Sequence, residues 1–201
     1  MPKRKDPQAE AKLARLDQIL AEPGATIIAE DESEMHQLPI VRAMWHRRGQ
    51  QPRIPTPGQN RKCAVLGGVN LRTGDWHYQV SVRKRSVEFI DFLTRLLKAY
   101  PVGPLYVVLD NVSIHLSRAV KSWLAEHPRL ELVYLPTYDG HAFNPVEKIW
   151  WLLKDKVAAN RCFQTLAFLM HFIRRQLGTL TAASVLQLIN SPIVRQAQLP
   201  T

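Results

Sequence analysis

Three acidic residues lie where a folded sheet would present side chains to a ligand. Asp31 follows the apolar run 25–29, and Asp110 follows the apolar run 105–109. Glu147 lies near the start of a helical segment. Carboxylate oxygens are the ligands that hard cations prefer. Two carboxylates on neighbouring strands and one on a helix could hold two Mg²⁺ about 3.5–4 Å apart, the arrangement used for in-line phosphoryl transfer.

Each acid taken alone has a simpler interpretation. Asp31 lies in an acidic stretch that a solvated turn would explain. Asp110 could be an ordinary turn residue. Glu147 would close a capping box at the start of a helix whose N-cap is Asn144. The combination favours chemistry, because all three acids occupy suitable ends of elements in one sheet.

The elements that must position these acids alternate in type along the chain. Apolar runs and their spacing predict strands over 25–29, 63–71, 76–82, 105–109 and 130–135, and helices over 8–21, from Ser86, over 117–127, from Asn144 and over 163–177. A turn at 72–75 would join the second and third strands, and 136–143 would be a loop. Residues 33–62 predict an irregular basic insertion. Two parallel crossovers after an antiparallel start indicate an α/β fold with a mixed five-stranded sheet flanked by helices.

Two of these helices have predicted buried faces. The helix capped by Ser86 would bury residues 87, 90, 93 and 97. The helix after Asn144 would bury 146, 149, 150, 153 and 157, so that one of the two adjacent tryptophans, Trp150 and Trp151, fills the core.

The charge balance favours a polyanionic partner. The chain has 27 Lys and Arg against 17 Asp and Glu, a net charge of +10, which points to nucleic acid first. No acid occurs between Met35 and Gly74. The candidate DNA contacts in and beside this stretch are Arg42, Arg47, Arg48, Arg53, Arg61 and Lys62. Trp45 could stack on a base or pack under the insertion.

Composition also excludes several classes of protein. No apolar run is long enough for a membrane span, and the first residues lack a secretory signal. The two cysteines, Cys63 and Cys162, lie too far apart to indicate a structural zinc site or a disulfide framework. We therefore expect a soluble, intracellular, basic protein.

Three segments of the chain resemble the signature blocks of DDE-type transposases. They are IIAEDES (27–33), YVVLDNVSIH (106–115) and FNPVEKIW (143–150). The sequence is most similar to bacterial insertion-sequence transposases of the mariner-related superfamily (the insertion sequence 630 family, or DDE superfamily endonucleases). The stretch 38–70 also resembles that family. The resemblance runs from about Leu13 to Leu177 and implies a ribonuclease H-like fold.

The resemblance implies that Asp31, Asp110 and Glu147 are a catalytic triad that binds two Mg²⁺ ions, with Mn²⁺ as a substitute. The 36 residues between Asp110 and Glu147 are near the spacing usual in this superfamily. One ion would activate a water and later a DNA 3′-hydroxyl, while the other would stabilise the leaving oxygen. Glu30 and Glu32 match acidic positions that flank the first Asp of the family, and we interpret them as supporting the metal ligands or as structural.

His115 follows Asp110 in a pattern that resembles the family's Asp-Asn-x-x-x-His. One interpretation has this histidine contact a DNA phosphate or orient the carboxylate. The other has it begin a helix and face solvent. Both stay open at the level of sequence.

The implied function is metal-dependent DNA strand cleavage and strand transfer on double-stranded DNA, both transposon ends and target. An endonuclease that does not join strands and a non-catalytic DNA-binding remnant are the alternatives. The expected organisation is an N-terminal helix and linker (1–24), a catalytic domain (25–160) and a helical tail (161–201). The first segment is shorter than a helix-turn-helix recognition region. The resemblance therefore leaves room for a separate recognition polypeptide or reading frame, and for a homodimer.

Overall fold

The computed structural model describes residues 6–137 and 144–198. Its strands are β1 Thr26–His36, β2 Lys62–Asn70, β3 Trp76–Ser81, β4 Leu105–Leu109 and β5 Leu130–Tyr134. Its helices are α1 Ala9–Leu20, α2 Ser86–Ala99, α3 Arg118–Ala125, α4 Glu147–Ala158, α5 Leu166–Leu177, α6 Ala182–Ile189 and α7 Pro192–Ala197. The predicted order of strands and helices is confirmed. Residues 138–143 of the predicted loop lie outside the described ranges.

The five strands form one mixed sheet in the order β3-β2-β1-β4-β5. β1 is antiparallel to β2, and β2 is antiparallel to β3. β4 is parallel to both β1 and β5. The side-chain oxygen of Asn70 shapes the β2–β3 turn by accepting hydrogen bonds from the N–H groups of Arg72 and Thr73. α3 carries the chain from β4 back to the parallel β5, the long connection that parallel neighbours need.

Alternate residues of β1 face two different cores. On one face, Ile27 and Ala29 belong to a large core that α1 and α4–α7 complete. On the other face, Ile28 packs with Phe89 and Phe92 of α2 and with neighbouring side chains of β4. The flanking segments 1–24 and 161–201 therefore contribute helices to the same core as the sheet. Consecutive residues of β1 point to opposite sides, and this alternation decides the surroundings of each acid.

The first strand was predicted too short. β1 continues through Glu30-Asp31-Glu32 to His36 and pairs with β2 along its whole second half. The interpretation of this acidic stretch as a solvated turn is therefore wrong, and Asp31 lies inside the strand rather than at its end. The irregular basic insertion correspondingly spans 37–61, since Lys62 already belongs to β2.

The predicted cap and buried face of α2 were partly wrong. Ser86 is the first helical residue, and its hydroxyl donates to the carbonyl of Ile114 instead of capping the helix. The buried residues of α2 are Phe89, Phe92, Leu93 and Leu96. Val87, predicted to be buried, is 58% exposed. None of the helices in the described ranges has the length and apolar character needed to cross a membrane.

Candidate active site

The sheet brings the three predicted acids to one place. The last parallel pair between β1 and β4 joins Ala29 to Val108, two residues before Asp31 and Asp110 respectively. Because β4 ends at Leu109, Asp110 is the first residue beyond the paired strand, beside the part of β1 that holds Asp31. Glu147 begins α4, which packs against β1.

The electrostatics of Asp31 reflect this proximity. Burial, followed by the negative charge of Glu147, raises the pKa of Asp31 from an ordinary 3.8 to about 7. The charges of Glu32 and Asp110 act in the same direction. An opposite charge would favour the ionised form. The site therefore has an excess of negative charge that a cation would relieve.

Asn144 fixes the start of α4 on β1. Its side-chain nitrogen donates to the carbonyl of Glu30 at 2.7 Å, and its side-chain oxygen accepts from the N–H of Val146 at 3.1 Å. The predicted capping box is wrong, because the N-cap of α4 is Val146 rather than Asn144 and Glu147 is the first helical residue. The second bond instead stabilises the turn that precedes the helix. The bond from Asn144 to the Glu30 carbonyl is a tertiary contact that the sequence did not indicate, and it sets the position of Glu147 along β1.

Trp150 lies one helical turn after Glu147 and contacts Asp31 directly. Its indole N–H donates to Asp31 Oδ2 at 2.9 Å, and the side chain is 1% exposed. The buried face predicted for α4 is confirmed at all of its positions. Trp150 is the tryptophan that fills the core, while Trp151 is largely exposed.

A second polar cluster lies on the opposite face of β1, under the triad. It consists of Glu30, Glu32 and His115, whose possible ligand atoms lie within 4.8 Å of one another. His115 Nε2 lies 3.0 Å from Glu32 Oε1 and 3.8 Å from Glu30 Oε2. Burial and the charge of Glu32 raise the pKa of Glu30 well above its usual range. Neither carboxyl oxygen of Glu30 has a hydrogen-bond partner within 6–137 and 144–198.

His115 connects this cluster to Asp110. Its Nδ1 lies 3.1 Å from the backbone oxygen of Asp110, while its Nε2 faces Glu32. The side chain has no exposed surface and packs against Phe89, with ring centroids 4.4 Å apart and ring planes tilted by 42°. The solvent-facing interpretation is therefore wrong. A ring buried in this way also offers no atom to a DNA phosphate, so the structure favours the orienting role over the predicted DNA contact.

The basic insertion is exposed. Trp45 is fully open to solvent, so the prediction that it packs under the insertion is wrong. Two of the candidate DNA contacts have acidic neighbours: Arg42 lies 3.7 Å from Asp155, and Lys62 lies 2.8 Å from Glu34. Within the described ranges the other four have no ion-pair partner; these are Arg47, Arg48, Arg53 and Arg61.

A family model described as DDE superfamily endonuclease matches residues 26–169, well over half of the 201 residues. The chain belongs to this family. The matched range contains the whole sheet and all three acids, so the resemblance inferred from the signature blocks is confirmed.

A curated bacterial relative supports the assignment. The Insertion element IS630 uncharacterized 39 kDa protein of Shigella sonnei is 33% identical over 180 residues. The alignment covers 88% of this chain and 52% of the relative. The chain thus spans about half the length of that relative.

Solved structures share the fold. The Mos1 transposase paired-end complex with left transposon end matches with a TM-score of 0.67 and 13% identity, over 98% of this chain and 62% of that chain. The catalytic domain of Mos1 mariner transposase matches with a TM-score of 0.65 and 11% identity, over 98% and 92%. These likenesses confirm the ribonuclease H-like fold. At such identities, the chemistry must be argued from the residues of this chain.

Proposed function

We propose that this chain carries the catalytic domain of a DNA transposase, which cleaves DNA and joins the freed ends to a target by metal-dependent phosphoryl transfer. The observation that carries the proposal is the meeting of Asp31, Asp110 and Glu147 at the junction of β1, β4 and α4. Residues 25–160 would hold the chemistry. The segments 1–24 and 161–201 would support it through the core they share with the sheet.

Membership of this family implies a divalent metal ion, and the donor set fits one. The three acids offer hard oxygen ligands, and burial together with repulsion from the neighbouring acids raises the pKa of Asp31. We propose that Asp31, Asp110 and Glu147 hold two Mg²⁺ ions, for which Mn²⁺ can substitute. Bound there, the ions would activate the attacking oxygen and stabilise the leaving oxygen.

The residues of the chain supply positioning and charge. Trp150 donates a hydrogen bond to Asp31, and Asn144 places Glu147 beside β1. His115 supports the backbone at Asp110. The exposed arginines of the insertion would neutralise DNA phosphates and hold the scissile strand near the acids. A well-oriented phosphodiester needs little further help from the protein, because positioning and electrostatic stabilisation provide most of the catalysis of phosphoryl transfer.

The partner that best fits this surface is double-stranded DNA, both as element ends and as target. The Mos1 protein was solved with its left transposon end, and the net charge of +10 suits the same class of partner here. We also propose that the chain forms a homodimer and acts at the nucleoid in the cytoplasm. A helix-turn-helix recognition unit would be supplied by a separate polypeptide or reading frame.

The test is nicking of supercoiled plasmid in Mg²⁺ or Mn²⁺ by the native chain and by Asp110→Asn. Asp91→Asn is the matched control, because Asp91 is an exposed acid of α2. We expect nicking by the native chain and by the control, and loss of nicking in Asp110→Asn. Equal nicking by all three would refute the triad assignment.

A second assay separates joining from simple hydrolysis. Short duplexes with free 3′-hydroxyls are added to the plasmid, and covalent joining to plasmid DNA is measured. Joined products support the transposase. Nicking without joining would favour the endonuclease alternative, and DNA binding with neither reaction would favour the non-catalytic remnant.

A further inference from the structure

We propose that Trp150 is a positioning residue for the metal site, because its indole N–H fixes the orientation of the Asp31 carboxylate. The inference rests on the proposed metal-binding role of Asp31. It goes further by assigning a task to a side chain that is neither acidic nor exposed. Trp150 is 1% exposed and donates to Asp31 Oδ2 at 2.9 Å.

The bond matters because an aspartate carboxylate rotates easily. The terminal torsion of Asp has a broad preference, so packing of the Cβ alone leaves the two oxygens free to swing. A hydrogen bond from a rigid ring to Oδ2 fixes the carboxylate plane. Oδ1 is then directed in one orientation, which is the state that a metal ligand needs before the ion arrives.

The sheet makes room for this ring through a glycine. Gly67 on β2 pairs directly with Asp31 on β1, so a side chain at 67 would occupy the same face as the carboxylate. A Cβ built at Gly67 would lie 2.6 Å from the Trp150 ring and would also overlap the ring of Trp76. Glycine at this position therefore lets the indole lie across the strand and reach Asp31.

Trp76 shows that aromatic packing alone would not require this bond. Its ring contacts the ring of Trp150 edge-on, with centroids 5.7 Å apart. The indole nitrogen of Trp76 is also buried, but it has no hydrogen-bond partner in the described part of the chain. Two tryptophans thus share one apolar environment, and only Trp150 directs its N–H at an acid of the triad.

Helical geometry links the positioning role of Trp150 to the third acid, Glu147. Glu147 and Trp150 are three residues apart on α4, a spacing that places side chains on one face. A single helix therefore presents one acid of the triad and the group that orients another. Any shift of α4 on β1 would disturb both at once.

The test replaces Trp150 by 3-benzothienylalanine, which keeps the shape of the ring but has sulfur in place of the N–H. Trp76→Phe is the matched control for aromatic packing. Binding of Mn²⁺ is measured by titration calorimetry, and folding by thermal melting. We expect roughly tenfold weaker Mn²⁺ binding in the benzothienyl variant, because a metal ligand loses its supporting hydrogen bond, and a cooperative melt that is lower by only a few degrees. Trp76→Phe should bind Mn²⁺ like the native chain, even if it melts earlier.

A second readout needs no metal. The indole N–H signal of Trp150, assigned by its loss in Trp150→Phe, should shift in Asp31→Asn and exchange slowly with solvent in the native chain. Unchanged Mn²⁺ affinity in the benzothienyl variant would overturn the proposal. So would a Trp150 signal that does not respond to Asp31→Asn. If the native chain bound no Mn²⁺, the proposed metal site would fail, and the indole signal would still decide whether Trp150 holds Asp31.

Discussion

Replacing Asp31 by asparagine should make the metal-free protein more stable at alkaline pH. Asparagine keeps the size of the side chain and an oxygen that can accept from Trp150. It removes a charge that burial and the neighbouring acids disfavour. In the absence of a cation, the ionised Asp31 therefore lowers the free energy of unfolding of the native chain. The variant, which lacks this charge, should be more stable.

The sign and the size of this stability difference follow from the pKa of Asp31. The pKa of Asp31 is about 7 in the folded chain and 3.8 by the ordinary value for the unfolded chain. The folded state binds the proton more readily, so stability is lost as pH rises from about 4 through 7 and stays low above that. A difference of about three pKa units corresponds to an upper limit of about 4 kcal/mol. Near pH 4 the folded state is protonated and the unfolded state is close to half protonated, so native and variant proteins should differ by less than about 1 kcal/mol.

The assay is urea unfolding in EDTA at pH 8 and at pH 4.5, with Asp91→Asn as the control for loss of an exposed charge. We expect Asp31→Asn to exceed the native free energy of unfolding by about 2–4 kcal/mol at pH 8 and by less than about 1 kcal/mol at pH 4.5. Adding Mg²⁺ should raise the native midpoint at pH 8 more than that of the variant. A stability difference independent of pH, or a variant less stable at pH 8, would refute the reasoning.

Three further predictions concern the surroundings of the site. Gly67→Ala should destabilise the fold by about 3 kcal/mol in thermal melts, because the added carbon overlaps Trp76 and Trp150; a neutral effect would contradict the packing described. His115→Phe should cost about 1–3 kcal/mol in urea unfolding, since the carboxyl group of Glu32 would lose its buried hydrogen-bond partner. Arg47→Gln combined with Arg48→Gln should lower the slope of log K against log salt for plasmid binding by roughly 2. An unchanged slope would place the DNA elsewhere.

The sequence was sufficient to predict those strands and helices whose apolar pattern matches their burial in the fold. Leu105–Leu109 was predicted with its observed bounds, because a continuous apolar run between polar loops suits a strand buried on both faces. The buried face of α4 was also predicted fully, since its apolar residues keep helical spacing. The three candidate acids were selected because each was predicted at the end of such an element, although Asp31 lies inside β1.

The second half of β1 could not be predicted from its own residues. Four of the seven positions from Glu30 to His36 are acidic, a composition typical of turns. They form a strand because β2, whose residues from Cys63 onward are buried, pairs with them from Met35 back to Ile28. A long-range partner overrides local propensity here.

The contacts that orient the acids were also beyond sequence reasoning. The spacing of five between Asp110 and His115 left two opposite interpretations, and only the packing of Phe89 over the ring decides between them. The bond from Trp150 to Asp31 depends on how α4 lies on β1 and on the absence of a side chain at Gly67. Neither condition can be deduced from a single sequence.

The positions of all three acids are set by contacts with one strand, β1. Asp31 belongs to β1 itself. Asp110 is connected to it through His115, which bridges the Asp110 backbone and Glu32 on the other face. Glu147 is connected through Asn144, which donates to the Glu30 carbonyl, and through the Trp150 ring on the same helix. Because neighbouring residues of a strand alternate in direction, the run Glu30-Asp31-Glu32 can serve the site from both faces. The acidic strand therefore acts as the frame on which the proposed metal ligands are assembled, and its cost in stability is the reason to expect the pH dependence described above.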